Sequence, residues 1–202
     1  MTRDAAMRGY YDARAAEYDD WWLGAGLFAQ RDRPGWEEDR DALIATLTAL
    51  PPARTLDVAC GTAFLTRHLR GFVVGVDQSP RMVEIAQSRL PEGLALAGDA
   101  FALPFADGAF DRVLAGHFYG HLREEEREPF LREASRVAPE LIVVDSAGED
   151  REEWQERRLS DGSRRRVFKR WFTAEGLAAE LSGSVLHAGR WFVAVLSRRS
   201  GS

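Results

Sequence analysis

The stretch Leu56-Asp57-Val58-Ala59-Cys60-Gly61-Thr62-Ala63-Phe64, followed by Val73-Val74-Gly75-Val76-Asp77, decides the fold. It reads as a strand, a glycine turn, a short helical interval and a second strand closed by an acid. In an open parallel sheet the ligand crevice lies beyond the carboxyl ends of the strands, where an acid closing the second strand can take both hydroxyls of a ribose. Asp77 stands at that place.

Upstream, Leu43, Ile44, Leu47 and Leu50 recur at helical spacing from Trp36 onward, and Pro51-Pro52 ends the helix before the first strand. Downstream, Ser79 caps a helix whose first residue is Pro80, with Met82, Ile85, Ala86 and Leu90 as its apolar stripe. Leu94 to Ala97 is a third strand, followed by Gly98-Asp99-Ala100, and Arg112 to Gly116 is a fourth. Phe130, Leu131, Ala134 and Val137 mark another helix, and Leu141 to Asp145 is a fifth strand of buried character. Ser160-Asp161-Gly162-Ser163 is a hairpin turn inside an arginine-rich stretch running from Arg151 to Trp171. A capped helix from Thr173 to Leu181 precedes two final strands, near Val185 to His187 and Trp191 to Ser197.

At 202 residues, with 45% hydrophobic and 29% charged side chains, the chain is expected to be one soluble, cytoplasmic domain. No apolar run approaches the roughly 20 residues that span a bilayer. Cys60 is the single cysteine, so no internal disulfide forms and no metal site is expected. The net charge of −5 speaks against nucleic acid as partner, and leaves monomer and homodimer open.

From about Tyr10 to the last strand, and most strongly between Leu56 and His121, the chain resembles the class I S-adenosylmethionine (SAM)-dependent methyltransferases. The resemblance rests on the Asp57 to Thr62 loop, Asp77 after the second strand and Gly98-Asp99-Ala100 after the third. It implies an α/β, Rossmann-like three-layer sandwich: a mostly parallel seven-stranded sheet with an antiparallel last strand. It further implies a single domain over residues 1–202, with the 1–36 segment and the 149–171 hairpin as candidate substrate cap. The family usually has glycine where this chain has Ala59 and Ala63, so a slightly repositioned turn is expected. A dinucleotide site would want three glycines for its pyrophosphate, and only Gly61 is present.

The cofactor implied is SAM, with S-adenosylhomocysteine as product. By the same resemblance the residues around it are Tyr11, Tyr18, Asp57, Ala59, Gly61, Asp77, Gln78, Met82, Asp99, Ala100 and His117. Asp77 would address the ribose, Asp99 the adenine amine, and Asp57 and Gly61 the methionyl part. A methyl on a sulfonium is already electrophilic, so few catalytic residues are required. His117 or His121 has the pKa to relieve a hydroxyl or amine of its proton; His121 reads equally as a structural residue at the next helix. Tyr11 and Tyr18 are read either as closing over the cofactor or as one packed helix face. Tyr119, Arg166 and Arg170 are the expected substrate contacts, the arginines suiting a carboxylate-bearing molecule. The hairpin reads equally as a solvated charged face balanced by Glu149, Asp150, Glu152, Glu153 and Glu156. The expected activity is methyl transfer to an oxygen or nitrogen of a small molecule. A non-catalytic SAM-binding module and an RNA methyltransferase are the alternatives.

Overall fold

The computed structural model describes residues 5–198. Its strands are β1 Thr55–Val58, β2 Val73–Asp77, β3 Leu94–Ala97, β4 Arg112–Gly116, β5 Glu140–Ser146, β6 Arg151–Arg158, β7 Arg164–Trp171, β8 Ser184–Ala188 and β9 Phe192–Arg198. Seven of them form one sheet in the order β3-β2-β1-β4-β5-β9-β8. The pairs from β3 through β5 are parallel, and β9 runs antiparallel to both neighbours. This is the mostly parallel sheet with an antiparallel last strand that the resemblance implied.

Helices cover both faces, as a parallel sheet requires. They are α1 Ala5–Arg14, α2 Asp20–Leu23, α3 Trp36–Thr48, α4 Pro80–Arg89, α5 Glu124–Val137 and α6 Ala174–Leu181. The period of two along each strand divides the core. Val113, Leu141 and Val143 pack with Phe130, Ala134 and Leu177 of α5 and α6, whereas Leu114, Ile142 and Val144 pack with Leu43 and Leu47 of α3. Ser79 caps α4 as expected, its hydroxyl accepting from the Met82 amide at 3.2 Å.

The interval between the Gly61 loop and β2 is a single 3-10 turn, Thr66–His68, rather than a helix. The chain is extended again by Leu69, and this leaves no room for a second turn. The loop itself keeps the conformation that glycines would give it: Ala59 and Ala63 hold φ of 58° and 60° on either side of Gly61 at 54°. The alanines thus do not exclude the positive φ that glycine takes freely. They carry left-handed backbone that costs an L-residue about 1–2 kcal/mol. Ala59→Gly is accordingly expected to raise the stability by about 1 kcal/mol, read as a higher urea midpoint with unchanged slope. An unchanged or lower midpoint would show that Ala59 does not hold this strain.

The excursion after β5 is an antiparallel hairpin of β6 and β7, paired from Arg151↔Trp171 to Arg158↔Arg164. It returns over the carboxyl ends of the parallel strands. There it meets the segment formed by α1, α2 and the turns between them. Leu159 and Val167 of the hairpin share a buried cluster with Tyr10, Tyr11 and Met82, and the Ser160 amide donates to Glu17 at 3.2 Å. The N-terminal segment is also fastened to the sheet. Asp12 accepts from the Ser79 hydroxyl, while Asp19 accepts from Thr62 at 2.5 Å and pairs with Arg89 at 2.6 Å.

Candidate active site

β1 and β2 deliver two buried carboxylates to one end of the sheet. Asp57 accepts from the Thr66 hydroxyl through one oxygen; the other, Oδ1, is buried with no hydrogen-bond partner. Burial pushes its pKa up to about 7, opposed by the Thr66 bond and helped by the neighbouring charge of Asp77. Asp77 uses both oxygens to hold backbone, accepting from Gly61 N–H at 3.0 Å and Ser79 N–H at 2.9 Å. Its pKa is nevertheless raised to about 6, because burial outweighs those bonds. Tyr18 lies directly over the loop: a Cβ on Gly61 would come within 3.1 Å of its ring. Burial keeps the hydroxyls of Tyr11 and Tyr18 protonated, raising Tyr11 to about 12.

These residues fit a cationic adenosyl group. Among the described residues, these two close, desolvated carboxylates, one with an unused oxygen, have no cationic partner, and an unpaired buried charge is costly. SAM carries an ammonium and a sulfonium. The Asp77 oxygens each have a second lone pair, so ribose hydroxyls can be accepted without breaking the bonds to Gly61 and Ser79. Asp99 follows β3 in a turn closed by its own side chain, which accepts from the Phe101 amide at 2.9 Å, and Gly98 donates to the Asp77 carbonyl at 3.0 Å. The third expected acid is thus tied to the end of β2. Ala59 and Ala100 pack on the main core cluster, Gln78 is half-buried beside Asp77, and Met82 is fully buried beneath Tyr10 and Tyr11.

β4 and β5 supply the next group. His117 adopts φ of 51°, with its ring edge-on to Trp21 and Trp22 at 4.7 and 4.9 Å. Its Nδ1 lies 3.5 Å from the Ser146 hydroxyl and 3.7 Å from Asp145, and its Nε2 is buried without a partner. Burial lowers its pKa to about 3, against the pull of Asp145, so the ring is neutral. His121 is neutral too, held down by burial and then by the charges of Arg157 and Lys169. Its Nδ1 donates to the Phe168 carbonyl at 2.6 Å, which fixes the tautomer and leaves the lone pair on Nε2.

Asp145 was not singled out by sequence, yet it organises this corner. It is fully buried, pairs with Lys169, and accepts from the Gly120 and Ser146 amides at 2.7 and 2.8 Å. Gly120 is needed for that approach, since a Cβ there would sit 2.8 Å from the carboxylate. Burial disfavours the Asp145 charge, but the Lys169 ammonium overrides it and holds the carboxyl down to about 2.

Beside these groups opens a cavity of about 940 Å³. Among the described residues, eight cationic side chains line it against three acidic ones, in a chain whose net charge is −5. Tyr11, Tyr18 and His117 face it as well, so it adjoins the carboxylate cradle.

The comparisons follow this geometry. Residues 56–140 match the family model described as a methyltransferase domain. The solved structure of DhpI in complex with SAM and HEP shares 25% identity and a TM-score of 0.77 over 98% of this chain and 100% of that one. The chain carries a methyltransferase domain over residues 56–140 and is similar to SAM-dependent methyltransferases of known structure. Demethylmenaquinone methyltransferase of Thermotoga maritima is 34% identical over 103 residues, 48% of this chain and 44% of that protein. Ajmaline N-methyltransferase of Rauvolfia serpentina is 38% identical over 102 residues, 43% of this chain and 33% of that protein. The chain thus spans less than half the length of these curated relatives.

The expected substrate contacts need correction. Tyr119 is fully buried and donates its hydroxyl to Glu180 at 2.7 Å, away from the cavity. Arg166 is exposed and lies over Trp154 at 5.1 Å, and Arg170 is held by Asp150 and Glu180 at 2.8 Å each. Arg14, Arg157 and Lys169 face the cavity in their place. Among the described residues no helix is long and apolar enough to cross a membrane.

Proposed function

We propose that the protein transfers the methyl group of SAM to an oxygen or nitrogen of a small anionic molecule bound in the 940 Å³ cavity. The observation that carries this reading is the surplus of cations in a cavity that shares Tyr11, Tyr18 and His117 with the carboxylate cradle. DhpI, bound to SAM and HEP and alike over nearly the whole chain, supports a small acceptor, and the ajmaline enzyme's name supports nitrogen as one acceptor atom.

When bound, SAM supplies a methyl on a sulfonium whose leaving group is a neutral thioether. Asp57 and Asp77 hold its cationic and ribose parts, and Asp99 lies on the adenine side. The acceptor's proton passes to Nε2 of His121, whose lone pair is fixed by the bond to Phe168. Burial is the larger cause that holds this ring down and persists when the site is filled; an anion beside Arg157 offsets only part of the lesser, charge contribution, so His121 takes the proton only in concert with methyl transfer. The N-terminal segment and the hairpin, joined through Glu17 and Ser160, act as the cap that excludes water.

Calorimetric titration with SAM, S-adenosylhomocysteine and NAD at pH 8 and pH 6 tests this. Both adenosyl ligands bind and NAD does not. The free carboxylates have pKa values of about 7 and about 6, so acidification makes the ligand displace protons and weakens binding. The expected loss between pH 8 and pH 6 is about twentyfold, about tenfold of it through Asp57 and about twofold through Asp77. A preference for NAD, or no binding of either adenosyl compound, overturns the reading.

A further inference from the structure

The cavity has two chemically distinct ends. At one, Arg14 is 8% exposed and contacts only the Tyr10 hydroxyl at 3.3 Å and the faces of Tyr10 and Tyr18. Arg157, half-buried on the same cavity and, like Arg14, close enough to act on Tyr11 electrostatically, donates to the Gln155 amide oxygen at 3.4 Å. Neither guanidinium has a carboxylate partner among the described residues, while Lys169 already holds Asp145. A buried guanidinium without a counter-charge is a binding site for one.

The other end is a wall of indoles. Trp21 stands edge-on to Trp36 at 4.8 Å, and Trp36 to Trp191 at 5.6 Å. Leu27 continues the wall and is 48% exposed; Trp21 and Trp191 are half-buried, whereas Trp36 is buried behind them, so the open apolar surface is that of Trp21, Trp191 and Leu27. The arginines here do not form a second charge cluster of the same kind. Arg31, Arg33 and Arg190 lie over Phe28, Trp36 and Trp191 at 4.6, 3.8 and 5.6 Å and extend the flat surfaces. His117 sits between the ends, touching Trp21 on one side and facing Asp145 on the other.

We propose that the acceptor is an aromatic acid: a carboxylate seated on Arg14 and Arg157, joined to a flat ring system laid against Trp21 and Trp191. The inference rests on the reading of this cavity as the acceptor side of a methyltransferase. Its size agrees, since ligand cavities run from about 300 to 1,000 Å³ and a short aliphatic acid fills only a small part of the upper range. Planar rings meet an aromatic wall favourably edge-on or offset, beyond the area they bury. The group to be methylated then lies on the ring near His117 and His121, between the two anchors.

Calorimetry with the full chain saturated with S-adenosylhomocysteine tests this, using 2-naphthoate, propionate and 2-naphthylmethanol as probes. 2-Naphthoate is expected to bind at least tenfold more tightly than either half-probe. Arg157→Gln should weaken 2-naphthoate at least tenfold and leave 2-naphthylmethanol unchanged, and Trp191→Leu should weaken 2-naphthoate and leave propionate unchanged. Phe28→Ala replaces the second variant if Trp191→Leu does not fold. Equal affinity for propionate and 2-naphthoate, equal affinity for 2-naphthylmethanol and 2-naphthoate, or failure of all three probes while S-adenosylhomocysteine binds, each overturns the proposal alone. Failure of S-adenosylhomocysteine to bind refutes the methyltransferase reading instead.

Discussion

Replacing Asp77 by asparagine is expected to weaken SAM and S-adenosylhomocysteine binding about 10- to 150-fold. The estimate follows from the role assigned to the carboxylate. A hydrogen bond to a charged acceptor contributes about 1.5–3 kcal/mol, and the ribose is common to both ligands, so both lose alike. Asparagine keeps the size of the side chain but brings a donor to a place where Gly61 and Ser79 already donate, so one of those amides loses its partner. The loop therefore loosens as the ligand bond is lost. Calorimetry gives the affinity, and a thermal midpoint of the free variant shows that it still folds. A dissociation constant within error of the parent would remove Asp77 from the site. Asp57→Asn separates the two acids. It should abolish most of the weakening between pH 8 and pH 6, because the group that is protonated near pH 7 is then gone.

What the sequence made legible was whatever local pattern alone determines. The parallel strands are short β-branched runs with their acids at fixed ends. Ser79-Pro80 states a helix start, and Ser160-Asp161-Gly162-Ser163 states a hairpin. The candidate cofactor residues Asp57, Gly61 and Asp77 follow from those strand ends, and the structure brings them within hydrogen-bonding reach of one another's backbone and charge. The loop conformation was harder. Ala59 and Ala63 read as poor substitutes for glycine, yet both hold positive φ, Ala63 fully buried and Ala59 half-buried.

The hairpin shows the other limit. Its basic character was plain, but a strand presents alternate residues to opposite faces, and composition does not say which face turns inward. Arg166 and Arg170 share one face; Lys169, paired across the ladder with Glu153, and Arg157, paired with Arg165, share the other. The inward face carries Lys169 and Arg157 to the cavity, so choosing Arg166 and Arg170 missed by a single residue of register. Asp145 was missed for a different reason. It ends an apolar strand like an ordinary polar stop, and only the return of β7 over the sheet brings Lys169 to it.

Lys169→Met is expected to cost about 3–5 kcal/mol of stability at pH 7, the range found when one member of a buried ion pair is removed. Asp145 is 0% exposed and would keep only the Gly120 and Ser146 amides against its full charge. Changing Asp145 to asparagine in the same chain should restore much of the loss, since no charge then remains to be buried. The pH dependence has a definite sign. In the parent protein Asp145 is held near 2, below its ordinary value, so its pair stabilises the fold above about pH 4 and that stabilisation fades as pH falls toward 2. In Lys169→Met the lone buried carboxyl titrates above its ordinary value, so stability falls as pH rises. The gap between the two proteins should thus be widest near neutrality and narrow toward pH 3. Urea denaturation at pH 7, 5 and 3 measures it. A loss below about 1 kcal/mol at pH 7, unchanged by acid, would mean that water reaches Asp145 and that the hairpin does not seal this corner of the site.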